Sequence, residues 1–328
     1  MSLLAADTGP AAGEFATIDA PPWAWAALIG FVVVLLVADL LIVHRKPHEV
    51  TFKAAAVESA VWIAIGLGFT GVMAFWHGGT AAGEYLAGYL IEKSLSVDNV
   101  FVWAVIFGFF AVPKRYQFRV LFWGIFGALV LRAIFIFAGV ALLEAFDWIL
   151  YVFGAFLLYT AWKISRHEGA EVHPESSVVM RIVRRVVPST PEYDGQKLFT
   201  RRSGKLLATP LFAVLLLVET TDVVFAVDSI PAILAVSREP FIVFASNAFA
   251  ILGLRALYFL LSGMAGRFRY LNQGLGVILA FVGVKMMIVE WVHFPTWVSL
   301  TVIAVVLAVT IWASLRAERR ELAQGGDA

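Results

Sequence analysis

Apolar runs of about twenty residues, separated by short charged stretches, set the rhythm of this chain. A helix needs about that many apolar residues to cross the hydrocarbon core of a bilayer. The strands of a membrane barrel would instead show shorter, alternating segments. Nine runs meet the helical length: about Trp23–Val43, Ala55–Trp76, Glu84–Ala111, Phe118–Leu143, Trp148–Ile164, Thr209–Val236, Pro240–Gly263, Leu271–Val292 and Thr296–Leu315. The pattern predicts an all-α, polytopic membrane protein of about nine helices. Eight or seven crossings would follow if one segment were re-entrant.

Charge orients these helices. With the N-terminus outside, the inner face receives Arg45, Lys46, Lys53, Lys114, Arg115, Arg119, the basic residues of 163–205, Arg267, Arg269, Arg316, Arg319 and Arg320. The outer face receives Arg238 alone. This is the asymmetry of the positive-inside rule, and it places the C-terminus in the cytoplasm. The first run ends in His44, Arg45 and Lys46 rather than a small-residue cleavage site, so it is expected to be retained. RIVRRVV (Arg181–Val187) reads as a basic surface segment beside anionic lipid, and PSTPEYDGQ (Pro188–Gln196) as a turn-rich linker.

Composition agrees with a chain in lipid. Hydrophobic residues make up 61% and charged residues 15%, against about 45–50% and 25% in a soluble domain. There is no cysteine, which excludes disulfides and thiol chemistry. The net charge of +1 names no partner beyond the bilayer, and nothing points to nucleic acid.

Two stretches repeat. LSVDNVFVWAV (Leu95–Val105) resembles ETTDVVFAVDS (Glu219–Ser229), with Asp98 laid on Asp222. GALVLRAIF (Gly127–Phe135) resembles AILGLRALYF (Ala250–Phe259), with Arg132 laid on Arg255, and AWKI falls near GVKM. The offset stays at about 122–124 residues. Each unit has three helices, an odd number, so the second enters the membrane from the opposite side. Inverted repeats of this kind are a common transporter architecture, with the substrate site near the midplane. The organisation is then 1–22, an outer N-terminal segment; 23–83, two leading helices; 84–164, the first unit; 165–207, a cytoplasmic basic loop; 208–292, the second unit; and 293–328, a last helix and cytoplasmic tail.

Acids at mid-membrane depth carry the chemistry. Asp98 and Asp222 fall near the centres of their helices, accompanied by Glu92, Asn99, Glu219 and Asp228. Each such acid costs several kcal/mol unless a cation, a proton or a buried base neutralises it. Glu219, Asp222 and Ser229 share one helical stripe, and Pro231 is expected to loosen the helix and free carbonyl oxygen near Val227. Candidate bases are Lys93, Arg132, Arg255 and Lys285, for charge balance or gating. Arg132 and Arg255 have an equally structural reading, as ties between the units through Asp98 or Asp222. Asp39 is either a further ligand or the partner of Arg45 or Lys46, and Glu58 is a weaker candidate. The oxygen ligand set suits Mg²⁺, Ca²⁺ or Mn²⁺, and the peripheral histidines lower zinc and copper. Chemistry alone leaves the three hard cations open. No nucleophile–base motif appears, so an enzyme is not expected, nor is a tightly bound cofactor.

EKSLSVDNVFVW (Glu92–Trp103), ETTDVVFAVDSIPA (Glu219–Ala232), ADLLIVHRK (Ala38–Lys46) and ESAVW (Glu58–Trp62) resemble the TerC family of integral membrane proteins, over roughly residues 25 to 315. The resemblance implies export of Mn²⁺ from the bacterial cytoplasm across the inner membrane, with an older association with tellurite resistance. It implies that Asp98, Asn99, Glu219, Asp222 and Asp228 coordinate the ion, and Asp39 matches the family's first-helix aspartate. The expectation is a secondary transporter exporting a divalent cation, with proton antiport as a coupling. Two other readings stand beside it: an oxyanion or tellurium-linked transporter using Arg132 and Arg255, and a non-transporting scaffold for metal-insertion or secretion machinery acting through 165–207.

Overall fold

A computed structural model of the chain describes residues 15–39, 51–146, 148–166, 188, 190, 192–202, 205–261, 270–288, 291 and 296–325. Helix dominates, as it must in lipid, where each backbone donor has to find its acceptor within the protein. Helix α1 spans Pro22–Ala38, α2 Phe52–Phe109, α3 Lys114–Ala145 and α4 Ile149–Arg166. A two-stranded hairpin follows, β1 (Phe199–Arg202) and β2 (Lys205–Ala208). Then come α5 (Pro210–Leu234), α6 (Pro240–Leu252), α7 (Leu254–Leu261), α8 (Leu271–Met287) and α9 (Thr296–Gly325). Among the described residues, five segments are long and apolar enough to cross a membrane: α2, α3, α5, the α6–α7 pair and α9. Helices α1, α4 and α8 are shorter and also apolar.

Helix α2 has 58 residues. Drawn straight it would be roughly 87 Å long, against about 30 Å of hydrocarbon. Instead the chain doubles back at Gly78, whose φ of 84° and ψ of −178° lie in a region that glycine alone enters readily. Contacts across the fold establish the reversal. The Tyr85 hydroxyl donates to the Gly66 carbonyl at 2.8 Å, and Phe69 lies 5.2 Å from Tyr85 between ring centres. Tyr89 fills the space that a side chain on Gly66 would take. The expected second and third spans are thus two antiparallel limbs, 52–77 and 79–109, joined at one residue.

Other departures from expectation are local. The expected seventh span divides at Gly253, which is crowded by Trp62 and Lys93. The 165–207 loop carries the β1–β2 hairpin, with Phe199 opposite Ala208 and Arg202 opposite Lys205. Its leading segment docks on the α2–α3 turn: Tyr193 donates to the Phe110 carbonyl at 2.7 Å and Gln196 to the Arg115 carbonyl at 3.2 Å. RIVRRVV lies outside the described residues. The expected loosening at Pro231 is not found: α5 runs unbroken through it to Leu234. The proline sits in the last turn, where the lost ladder bond is close to the helix end.

Packing pairs the helices. The second limb of α2 lies along α6 and α7, α3 along α5, and α4 along α8. The α4–α8 contact is the closest: a Cβ on Gly154 would lie 3.1 Å from the Gly283 carbonyl oxygen, and one on Gly283 3.0 Å from the Gly154 carbonyl oxygen. Paired small residues let helix backbones approach in this way. Helix α1 rests on α6 through Trp25, which meets Phe241 edge-on and lies beside Phe244.

Candidate functional site

Four helices converge on Arg132. The second limb of α2 carries Glu92, Ser96 and Asn99 at i, i+4 and i+7, one face of a helix. Helix α5 carries Asp222 and Ser229 at the same i, i+7 spacing. Arg132 comes from α3 and Asn247 from α6. All seven side chains are buried.

Their hydrogen bonds form one connected network. The guanidinium grips Asp222 with two parallel bonds, Nε to Oδ2 at 3.2 Å and Nη2 to Oδ1 at 2.9 Å. This fork-to-fork geometry is the strong form of the pair. Arg132 Nη1 also donates to Glu92 Oε1 and to the Ser229 hydroxyl at 3.2 Å. Ser96 donates to Glu92 Oε1 at 2.9 Å, and Asn247 Nδ2 to Glu92 Oε2 at 3.1 Å. Asn99 Nδ2 lies 3.4 Å from Asp222 Oδ1 as its donor. The network sets two acids, Glu92 and Asp222, against one guanidinium.

Two buried oxygens here accept no hydrogen bond: Asn99 Oδ1 and Glu219 Oε2. Glu219 lies one turn before Asp222 on α5, against Gly127 of α3, where a Cβ would collide with its carboxylate. Leaving a buried polar atom unpaired is costly, and carboxylate and amide oxygens are the ligand type that hard cations take. Among the described residues, no group of three or more His, Cys, Asp or Glu is arranged to hold a metal ion. The side chains of Asp98 and Asp228 lie outside the described residues, although both positions fall within helices α2 and α5.

The second arginine of the repeat has different partners. Arg255 Nη2 donates to Asp39 and to Glu58, and the guanidinium stacks 4.5 Å from the centre of the Phe118 ring. The expected tie from Arg255 to Asp222 is absent; Arg132 already occupies both oxygens of that acid. Asp39 binds Arg255, while Arg45 and Lys46 lie outside the described residues. Lys93 donates to the Ala250 carbonyl at 3.1 Å. Lys285 stands apart from the centre, donating to Ser299 of α9 at 3.1 Å with its charge acting on Glu84.

Sequence reasoning missed Asn247 and Glu84. Asn247 carries no charge to mark it, and its partner Glu92 is 155 positions away. Glu84 stood at the edge of an expected span, which drew attention away from its burial. The hydrophobic run around SNAF, broken only by Ser246 and Asn247, was the available signal for the first.

Comparison with known proteins places the chain among integral membrane proteins. The description "Integral membrane protein TerC family" matches residues 77–322. An uncharacterized membrane protein of Myxococcus xanthus is 51% identical over 308 residues, covering 94% of this chain and 96% of its own length. A protein of Escherichia coli K12 named "Putative membrane-bound redox modulator Alx" is 47% identical over 314 residues, 91% of this chain and 97% of its own. A membrane protein of Rickettsia bellii is 39% identical over 292 residues, covering 89% and 96%. No solved structure matches the chain.

Proposed function

The chain belongs to the integral membrane protein TerC family, and from that premise we propose that it is a secondary transporter exporting a divalent cation, Mn²⁺ first, from the bacterial cytoplasm. The observation that carries this reading is two unpartnered buried oxygens, Asn99 Oδ1 and Glu219 Oε2, in a centre where two acids, Glu92 and Asp222, share one arginine, Arg132. Such a centre is costly in lipid unless a cation visits it.

Arg132 is the resident counter-ion on this reading. It bridges Glu92 and Asp222 when no metal is bound. An arriving dication takes Asp222, Asn99 and Glu219, and Arg132 falls back on Glu92 and Ser229. When the metal leaves, Arg132 or protons restore neutrality before the carrier returns, which is the route to proton antiport.

The nine-span, N-outside arrangement belongs to the same proposal. The support for two related units is the pairing of elements: exchanging the two three-helix units maps the α2–α6/α7 contact onto the α5–α3 contact, and maps α4–α8 onto itself. A pseudo-two-fold axis between inverted units gives that pattern, and rocking of one unit on the other would open the centre to each side in turn. The oxyanion reading has less support, because each arginine already faces two carboxylates, Arg132 with Glu92 and Asp222 and Arg255 with Asp39 and Glu58. A redox role, suggested by the relative's name, would have to run without thiols, since this chain has no cysteine.

The test is elemental analysis of manganese-loaded cells, with Mg, Ca and Zn measured alongside. Cells would express wild type, Asp98→Asn or Asp222→Asn at matched membrane levels. Wild type should lower Mn alone, and both variants should fail to. Equal Mn in cells with and without the protein would reject metal export.

A further inference from the structure

Glu84 is a buried acid that the central network does not use. It lies on the second limb of α2, about two turns before Glu92, roughly 12 Å away along the helix and about 80° round it. Between them stands Gly88, whose missing side chain leaves room for the Ser246 hydroxyl, 2.9 Å from the Cβ position. A line of buried polar groups therefore runs from Asn99 and Ser96 through Glu92 and Ser246 to Glu84.

The far end of this line is covered by the chain itself. Residues 15–20, ahead of α1, cross it without regular structure. The Ala16 N–H donates to Glu84 Oε1 at 2.6 Å, and the Ile18 N–H donates to Glu239 Oε2 at 3.1 Å. The Phe15 ring lies 5.2 Å from the Arg238 guanidinium and 5.8 Å from the Lys285 ammonium. Ala16 and Ile18 are buried. Beside the buried Ile18 side chain, the segment is held by backbone hydrogen bonds to two acids, and a cation or proton that reaches those carboxylates competes for the same oxygens.

We propose that residues 15–20 are a movable strap that closes the end of this polar line, with Glu84 as its latch. The identity of what passes beneath the strap rests on the transport reading; the closure does not.

The cysteine-free chain allows a direct test with single thiols and a membrane-impermeant maleimide. Thr17→Cys, exposed on the strap, reports which side of the membrane the strap faces. Ser246→Cys, buried beneath it, reports closure and differs from serine by one atom. Reagent applied to the strap side should label Ser246→Cys slowly. Ala16→Pro, which removes the N–H that binds Glu84, should raise the labelling rate about tenfold, the change expected for loss of one hydrogen bond to a buried charge. Glu84→Gln, introduced separately, should act in the same direction. Ala16→Gly keeps the N–H and should leave the rate unchanged. Equal rates in all four backgrounds, or fast labelling beneath an unaltered strap, would overturn the proposal. Labelling that rises while cellular metal never responds to the protein would keep the strap and reject only the cargo.

Discussion

Arg132 is the residue on which the buried charges depend. Removing one partner of a buried ion pair leaves the other uncompensated, at about 3–5 kcal/mol. Arg132→Gln strands both Glu92 and Asp222, and should lower the unfolding midpoint in detergent more than any other single change in the network. Asn247→Ala removes one donor from Glu92 and should cost about 1–3 kcal/mol, measured in the same melts. A cost equal to that of Arg132→Gln would mean that Asn247, not Arg132, holds the centre. At the membrane surface, Glu239 gives a pH-dependent prediction. Burial raises its carboxyl above the ordinary range; the Ile18 N–H works against this, and the charges of Glu144 and Asp19 add to the rise. The folded protein thus holds this proton more tightly than the unfolded chain. Its contribution is intact below the ordinary glutamate pKa and is lost as pH climbs through the raised value. Glu239→Gln should flatten stability across that interval, and an unchanged slope in pH-dependent melts would remove Glu239 as its source.

At the scale of elements, glycine decides where helices reverse and where they touch. Gly78→Ala places a side chain at a φ of 84° in a region reserved for glycine, at about 1–3 kcal/mol. Gly66→Ala forces Tyr89 out of the space between the two limbs, and overpacking of that kind also costs about 1–3 kcal/mol. Both should lower the melting midpoint, whereas Gly68→Ala, where a Cβ meets nothing within 4 Å, should leave it in place. The apolar runs made nearly every helix legible in the sequence, since hydrocarbon thickness fixes their length. The one-residue turn was not, because HGGT offers two adjacent glycines and no loop to mark which way the chain turns. The β1–β2 hairpin was hidden by its short length, although the Ser203–Gly204 pair between FTRR and KLLA is a turn signal.

Across the whole molecule, the polar groups at the centre could be read from cost alone: Asp222, Glu92, Asn99 and Arg132 stand out in apolar helices and do come together. Their pairing could not be read. Arg132 and Arg255 stand in similar sequence stretches, yet Arg132 bridges two acids of the core while Arg255 reaches Asp39 and Glu58 in the leading helices, 216 and 197 positions away. The strap was equally hidden, because backbone N–H donors leave no mark in a sequence. The reversal at Gly78 has a consequence for synthesis. The first limb of α2 cannot be threaded and left while a loop is made, since there is no loop. Both limbs must leave the ribosome before either finds its partner, and they should partition into the bilayer together as a helical hairpin. Nascent chains that start at residue 51, so that α1 cannot anchor them, should therefore extract with alkali when arrested after residue 77, and those arrested after residue 109 should not, each once clear of the exit tunnel; resistance at the earlier length would show that the first limb inserts alone.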